Sequence, residues 1–202
     1  MKLILIGASG TIGAAVAAAL SPRHEVVGVT RHTQPLHADI TSRASIRALL
    51  EAVGPVDGIV CASGAARFKP LELLDDEDFA FSLQHKLMGQ VNVIREGIAH
   101  VRDHGVIVVT SGILARSPSP GSSAVSLVNA GLEAFVHAAS LEAPRGIRVD
   151  AVSPPWVSET LVKLGRDPAT GLPASAVAEA YVHAVEGTQT GRVIEPQGNA
   201  GR

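Results

Sequence analysis

Short apolar runs alternate with longer stretches in which apolar residues return every three or four positions. Leu3-Ile4-Leu5-Ile6 has no polar position in it, the pattern of a strand covered on both faces. Ala-rich Thr11 to Leu20 reads as helix. His24 to Thr30 (HEVVGVT) predicts a second strand, and Leu36 to Ile40 a short third one. Thr41 to Val53 is helical, with Thr41 or Ser42 as cap and Ile46, Leu49, Leu50 and Val53 on one face. Val56 to Ala62 predicts a fourth strand and Leu71 to Arg102 a mostly helical stretch, opened by the acidic run Asp75-Asp76-Glu77-Asp78 in a solvated first turn. Gly105 to Ser111 and Ile147 to Val152 are strands five and six, and Arg192 to Glu195 adds a possible last one. Such alternation predicts an α/β doubly wound parallel sheet of Rossmann type. With no repeat or linker, residues 1–202 read as one domain.

The helix between the last long strands has a second message. Ala124 to Leu141 carries one charged residue, Glu133, and one histidine, His137. A helix apolar nearly all round is covered on more than one side. One side is the sheet; for the other we expect a second copy of the chain, giving a homodimer or homotetramer through the 86–102 and 124–141 helices.

Composition narrows the function. Charged residues make up 18% and the net charge is −2, so no basic surface points to nucleic acid. Aromatics at 3% argue against a base-stacking platform. A single cysteine, Cys61, excludes an internal disulfide and a cysteine zinc site. His100 and His104 share a helical spacing but lack a third ligand, so no metal is expected. The expectation is a cytoplasmic protein with no signal peptide and no apolar run of membrane-span length.

The chemistry starts at GASGTIG. Gly7, Gly10 and Gly13 follow the first strand and run into the first helix. Glycines there allow a tight turn and let a phosphate approach the helix N-terminus, where free N–H groups and the helix dipole favour negative charge. The spacing is GxxGxxG, and a plain tight turn is the alternative.

Four further segments recur in order: Asp39 in Ala-Asp-Ile, Ala62-Ser63-Gly64, Thr110-Ser111-Gly112, and Gly146 to Thr160 (GIRVDAVSPPWVSET). Together they resemble the short-chain dehydrogenase/reductase family over nearly the whole chain. The glycine spacing is similar to its extended or atypical branches, the later segments to its standard branch. This resemblance implies NAD or NADP across the C-terminal ends of the strands. It places Gly7, Ser9, Gly10, Thr11, Ile12 and Gly13 near the pyrophosphate and ribose, and Asp39 and Ile40 beside the adenine. Ala62, Ser63 and Gly64 fall near the second ribose, and Pro154, Trp156, Val157 and Thr160 at the nicotinamide. Arg31 ends the second strand where an acid reads a ribose 2′-OH, so NADP(H) is favoured over NAD(H). The bland alternative is a solvated arginine.

The family's Tyr and Lys positions fall on Val125 and Asn129, and no tyrosine occurs in this region; the only one is Tyr181. Lys86, in Lys86-Leu87-Met88-Gly89, stands where the family has Asn, so Lys86 and Asn129 look exchanged. Ser111 occupies the family's serine position, or Gly112 does if the register shifts by one. The expected catalytic set is therefore Ser111, Lys86 and Asn129, with Ser111 bonding the substrate oxygen and Lys86 replacing the tyrosine. An ordinary surface lysine is the alternative for Lys86. His85 should face elsewhere, and Arg67, Phe68 and Lys69 form either a pocket wall or an exposed loop. Three functions follow. The leading one is an NADP-dependent oxidoreductase acting on a small carbonyl, alcohol or imine. The others are a cofactor-binding regulator or scaffold without redox activity, and a non-redox isomerase or lyase.

Overall fold

The computed structural model describes residues 1–32 and 34–197. Six parallel strands form one sheet in the order β2-β1-β3-β4-β5-β6: β1 (Lys2–Ile6), β2 (Glu25–Val29), β3 (Val56–Cys61), β4 (Val101–Thr110), β5 (Arg148–Val152) and β6 (Val193–Ile194). The period of two sorts each strand between two cores. Leu3 and Leu5 of β1 pack with α1 (Thr11–Leu20) and α7 (Ala174–Glu186). Ile4 and Ile6 face the opposite layer, which includes Ile46 of α2 (Arg43–Val53), Ile94 of α4 (Gly89–Gly97) and Leu132 of α5 (Ser123–Glu142). Both faces of the sheet are thus buried, which explains why its strands read as continuous apolar runs.

The strand order reverses beside β1, because β2 lies on one side of it and β3 on the other. Chain leaving β1 and β3 diverges there and opens a crevice at the carboxyl ends of the strands.

Three expectations change. The predicted strand at Leu36 to Ile40 makes only a single bridge, Thr30 to His37, so it never joins the sheet. Pro35 has no N–H to offer a ladder and interrupts the approach. Second, the 71–102 stretch is not one helix. It comprises a short turn at Leu71–Leu73, α3 (Asp76–Ser82), a π-helical segment at Leu83–Met88 and α4, and β4 already begins at Val101. His104 therefore sits in a strand with φ 62°, and the helical spacing of His100 and His104 has no meaning. Among the described residues no group of three or more His, Cys, Asp or Glu is placed to hold a metal. Third, α5 is long and apolar enough, by length and composition, to cross a membrane. Here Ala124, Val128, Leu132 and Val136 are buried within the fold, while Leu127 and Leu141 are exposed.

The acidic run does more than face solvent. Asp75 caps α3 in a reciprocal capping box with Asp78. Asp78 itself is buried and pairs with Lys69 at 2.5 Å and Arg67 at 3.4 Å. This ties the loop after β3 to α3, so two of the three candidate wall residues, Arg67 and Lys69, instead anchor the loop.

Candidate active site

At the switch point the glycine turn is sterically fixed. Gly7 has φ +91°, and a Cβ on Gly13 would lie 2.0 Å from the Gly7 carbonyl oxygen. Only glycine at 13 lets helix α1 come this close to the end of β1. Gly10 caps α1 without a side chain, and no acid occupies its first turn. The N–H groups of that turn thus face the crevice with a positive dipole end and no competing carboxylate, which fits a pyrophosphate. Ala62 continues the same wall, its N–H bonded to the Ile6 carbonyl at 2.9 Å. Lys163 of α6 (Ser158–Lys163) adds a cation that sequence reading missed, donating to Thr11 Oγ1 at 2.8 Å.

Two hollows meet at Gly64 and Ala65. The smaller, about 180 Å³, is lined by Arg31, Asp39, Ile40, Ser63 and His85. Burial works against the Asp39 charge, but hydrogen bonds from Arg31 and Thr41 outweigh it and hold the carboxyl down at about 2. Arg31 Nε reaches Asp39 Oδ2 at 3.1 Å, so the two residues expected at the adenosine end are already paired. His85, stacked on Phe81 at 4.3 Å, lines this smaller hollow and not the one that holds Lys86, so the two neighbours face different ways as expected.

The larger hollow, about 420 Å³, is lined by Ile12, Lys86, Asn129 and Thr160 together with Pro154, Trp156 and Val157. Apart from Ser111, its other walls are apolar or glycine, including Phe68, Leu114 and Val125. Of the sixteen expected cofactor residues, Ile12, Gly64, Pro154, Trp156, Val157 and Thr160 line the larger hollow and Arg31, Asp39, Ile40, Ser63 and again Gly64 the smaller, while Gly7, Ser9, Gly10, Thr11, Gly13 and Ala62 line neither.

The floor departs from the expected arrangement. Lys86 lies in the π-helical segment, a local irregularity that is frequent at functional sites because it re-aims side chains. A Cβ on Gly64 would meet Lys86 Cδ at 2.9 Å, so the lysine stem runs over a glycine into the cleft. Lys86 Nζ donates to the Ser111 carbonyl at 3.2 Å. Desolvation of the enclosed ammonium lowers its pKa from 10.5 to about 8, with Cys61 opposing slightly. Below, Gln90 is fully buried and bonds both ways to the Thr110 backbone, at 2.6 and 2.7 Å, fixing the end of β4.

Ser111 turns the wrong way for the role the sequence suggests. Its hydroxyl is buried and donates to Glu133 Oε1 at 2.6 Å, not into the cavity. Glu133 is in turn paired with Arg116, which also reaches Ser153 Oγ at 3.0 Å and Glu195 Oε1 at 3.0 Å. The next residue is the one that faces the cavity floor: a Cβ on Gly112 would lie 2.9 Å from Asn129 Nδ2. Successive positions in extended chain point opposite ways, so a one-residue shift decides which side chain sees the site. The orienting hydroxyl is absent there, and Ser111 contributes its carbonyl instead.

Asn129 is 2% exposed and donates weakly to the Gly112 carbonyl at 3.4 Å. Its Oδ1 is the buried side-chain polar atom without a partner among the described residues. A buried unsatisfied acceptor is costly, and one that lines a cavity marks where a donor from a ligand completes the site. Lys86 and Asn129 thus hold consecutive carbonyls of one turn, from opposite helices. Tyr181 belongs elsewhere: it is fully buried, bonds Thr110 Oγ1 at 2.7 Å, and burial pushes its pKa up.

These features agree with comparisons to known proteins. A family model described as Enoyl-(Acyl carrier protein) reductase matches residues 7–190. The crystal structure of the protein lin1944 from Listeria innocua superposes with a TM-score of 0.93 at 39% identity, covering 98% of this chain and 100% of that one. A small-chain dehydrogenase in complex with NADPH shares the fold at a TM-score of 0.84 and 24% identity, covering 96% of this chain and 95% of its own. Among curated relatives, the hydroxynaphthalene reductase arp2 of Aspergillus fumigatus is 28% identical over 141 residues, 67% of this chain and 52% of that protein. The chain thus matches about half the length of that relative. With the sheet order, the glycine turn and the cleft all in place, the chain belongs to the short-chain dehydrogenase/reductase family.

Proposed function

We propose that the protein is an NADP-dependent oxidoreductase for a small carbonyl, alcohol or imine, with Lys86 in place of the missing tyrosine. The observation that carries this reading is the Lys86 ammonium, enclosed at the cavity floor with a pKa of about 8. A proton donor works best when its pKa lies near the operating pH.

The nicotinamide, when bound, supplies the hydride equivalent. The uncapped α1 N-terminus would hold the pyrophosphate, and Arg31 would meet a ribose 2′-phosphate beside Asp39. The orphan Asn129 Oδ1 would be free to accept from a ribose hydroxyl. Lys86 keeps its ammonium on the Ser111 carbonyl and gives one proton to the substrate oxygen as that oxygen gains negative charge. Solvent then reprotonates the amine. The buried Ser111–Glu133 bond, held from the outside by Arg116, keeps that carbonyl in place.

NADPH oxidation against a panel of small carbonyls and imines tests this directly. Lys86→Ala should lose turnover while NADPH binding persists; undiminished turnover would refute the assignment. Binding of NADPH with no oxidation by any of them would favour the regulator or scaffold reading.

The oligomeric state is part of the same proposal. Leu127 at 50% and Leu141 at 88% exposed leave an apolar face on α5, with Met88 exposed at the head of α4. We propose that a second copy covers this face. Sedimentation should give a dimer or tetramer at micromolar concentration, and a monomer would contradict it.

A further inference from the structure

The cavity has a charge pattern that the family chemistry does not require. No Asp or Glu lines it, although the whole chain has a net charge of −2. Its one charged lining residue is Lys86, at the floor. Between floor and mouth the walls are apolar: Val125 and Leu114 on one side, Phe68 and Trp156 on another.

A second cation stands beside those aromatic walls. Phe68 comes from the loop after β3 and Trp156 from the segment after β5, and their rings meet edge to face with centroids 5.9 Å apart. The Arg166 guanidinium lies 5.4 Å from the Trp156 ring centroid and 6.0 Å from that of Phe68. These contacts hold its plane by cation–π attraction and leave the N–H donors of the fork uncommitted. No ion pair to Arg166 is found among the described residues, whereas Arg67 and Lys69 of the neighbouring loop are both spent on Asp78. The adjacent carboxylate, Asp167, is turned to its own backbone turn, accepting from Ala169 N at 2.9 Å.

Two cations with an apolar wall between them select a two-ended molecule. The floor cation suits an oxygen that becomes negative during reduction. The Arg166 cation suits an oxygen group that is negative throughout, because a planar fork binds carboxylates in pairs of hydrogen bonds. Arg166 is itself exposed, beside the aromatic wall rather than in the cavity lining, so its fork is open to an anion arriving from solvent.

We infer that this site takes small oxo acids: the carbonyl at Lys86, an apolar body against Val125, Leu114 and Trp156, and the anionic end at Arg166. This rests on the oxidoreductase reading and adds the class of substrate to it. Arg166 acts as a specificity residue and takes no proton. A bound reduced cofactor would supply the hydride for the carbonyl carbon and Lys86 the proton for its oxygen, leaving the hydroxy acid and the oxidised cofactor.

Matched pairs read the anion alone. Laevulinate and its longer homologues, each beside its methyl ester, are compared by kcat/KM with NADPH at low salt. The acid of the right length should exceed its ester by about tenfold or more, the scale of one charge-assisted pair. Arg166→Met keeps an apolar stem over the rings and should erase that preference through KM, with ester turnover unchanged. Arg166→Lys should keep part of it. Equal turnover of acids and esters by the natural protein would overturn the inference, as would equal losses for both in Arg166→Met.

The protein's single tryptophan, Trp156, separates this inference from the redox reading. Laevulinate titrated into NADP+-loaded protein should quench its fluorescence saturably, and less so in Arg166→Met. Arg166-dependent quenching without any turnover would uphold the anion site and refute the oxidoreductase. Ester turnover without quenching by the acids would refute the anion site and leave the oxidoreductase standing. Neither quenching nor turnover would overturn the inference as well.

Discussion

The two ends of the cleft are built from different materials. At the phosphate end the structure is backbone: a turn that only glycine permits, a helix end without a cap, and N–H groups facing the crevice. At the catalytic end it is side chains from distant segments: Lys86 from a π-helical segment, Asn129 from α5, and a Ser111 carbonyl held from behind by Glu133. The catalytic end can exchange residues between helices and still leave a cation and an amide around one cavity.

The largest effect should come from breaking the backbone end. In Gly13→Val the new Cβ would fall 2.0 Å from a main-chain oxygen that has no room to move. Overpacking of about 3 kcal/mol corresponds to a loss of NADPH affinity of roughly a hundredfold. Titration calorimetry measures it, with circular dichroism checking that the sheet persists. Affinity within a few-fold of the natural protein would mean that the turn does not carry the phosphate site.

The next effect separates the two ends. Lys86→Met should lower kcat by about a hundredfold or more while NADPH affinity changes by less than about threefold. The same variant should be more stable. The folded-state pKa of Lys86 lies below the unfolded value, so the buried ammonium costs stability at neutral pH. That cost is relieved as pH rises from about 8 to 10.5. The gain at neutral pH is about 1–2 kcal/mol, discounted for the residue's partial exposure, and denaturant unfolding at neutral and alkaline pH reads it. A variant that is more stable and less active marks a residue kept for function.

How much of this was legible follows the same division. GASGTIG revealed the tight turn between β1 and α1 because glycine spacing is a local signal, and the apolar runs revealed the sheet. The Leu36 to Ile40 strand failed because pairing depends on what lies beside a segment, and it meets its neighbour in a single bridge, Thr30 to His37. The long helix was drawn too far because Val101, at the start of β4, continues the apolar period of α4. Lys86 and Asn129 could be picked out by position along the family's motifs. The orientation of Ser111 could not, since a shift of one residue at a strand end exchanges Ser111 for Gly112. The Arg116–Glu133 pairing and the stacking of Arg166 on Trp156 could not be read from the sequence, because each depends on how two different segments fold together. Glu133 did stand out as the lone charge in an apolar helix, which was the one available hint.

The smallest effect sharpens the phosphate end. Arg31→Ala should weaken NADPH binding by about tenfold and leave NADH binding unchanged, because one charge-assisted contact to a 2′-phosphate is removed. Paired calorimetric titrations of the two cofactors measure the ratio. Equal losses for both would assign Arg31 only to holding Asp39, its partner in the absence of phosphate.

The most direct test of the central claim is the pH dependence of NADPH oxidation under saturating substrate. If the Lys86 ammonium is the proton donor, turnover is full at neutral pH and falls through an apparent pKa of about 8. That limb should vanish with the activity in Lys86→Met. A rate that stays flat through the alkaline range, or a limb that survives unchanged in Lys86→Met, would contradict it.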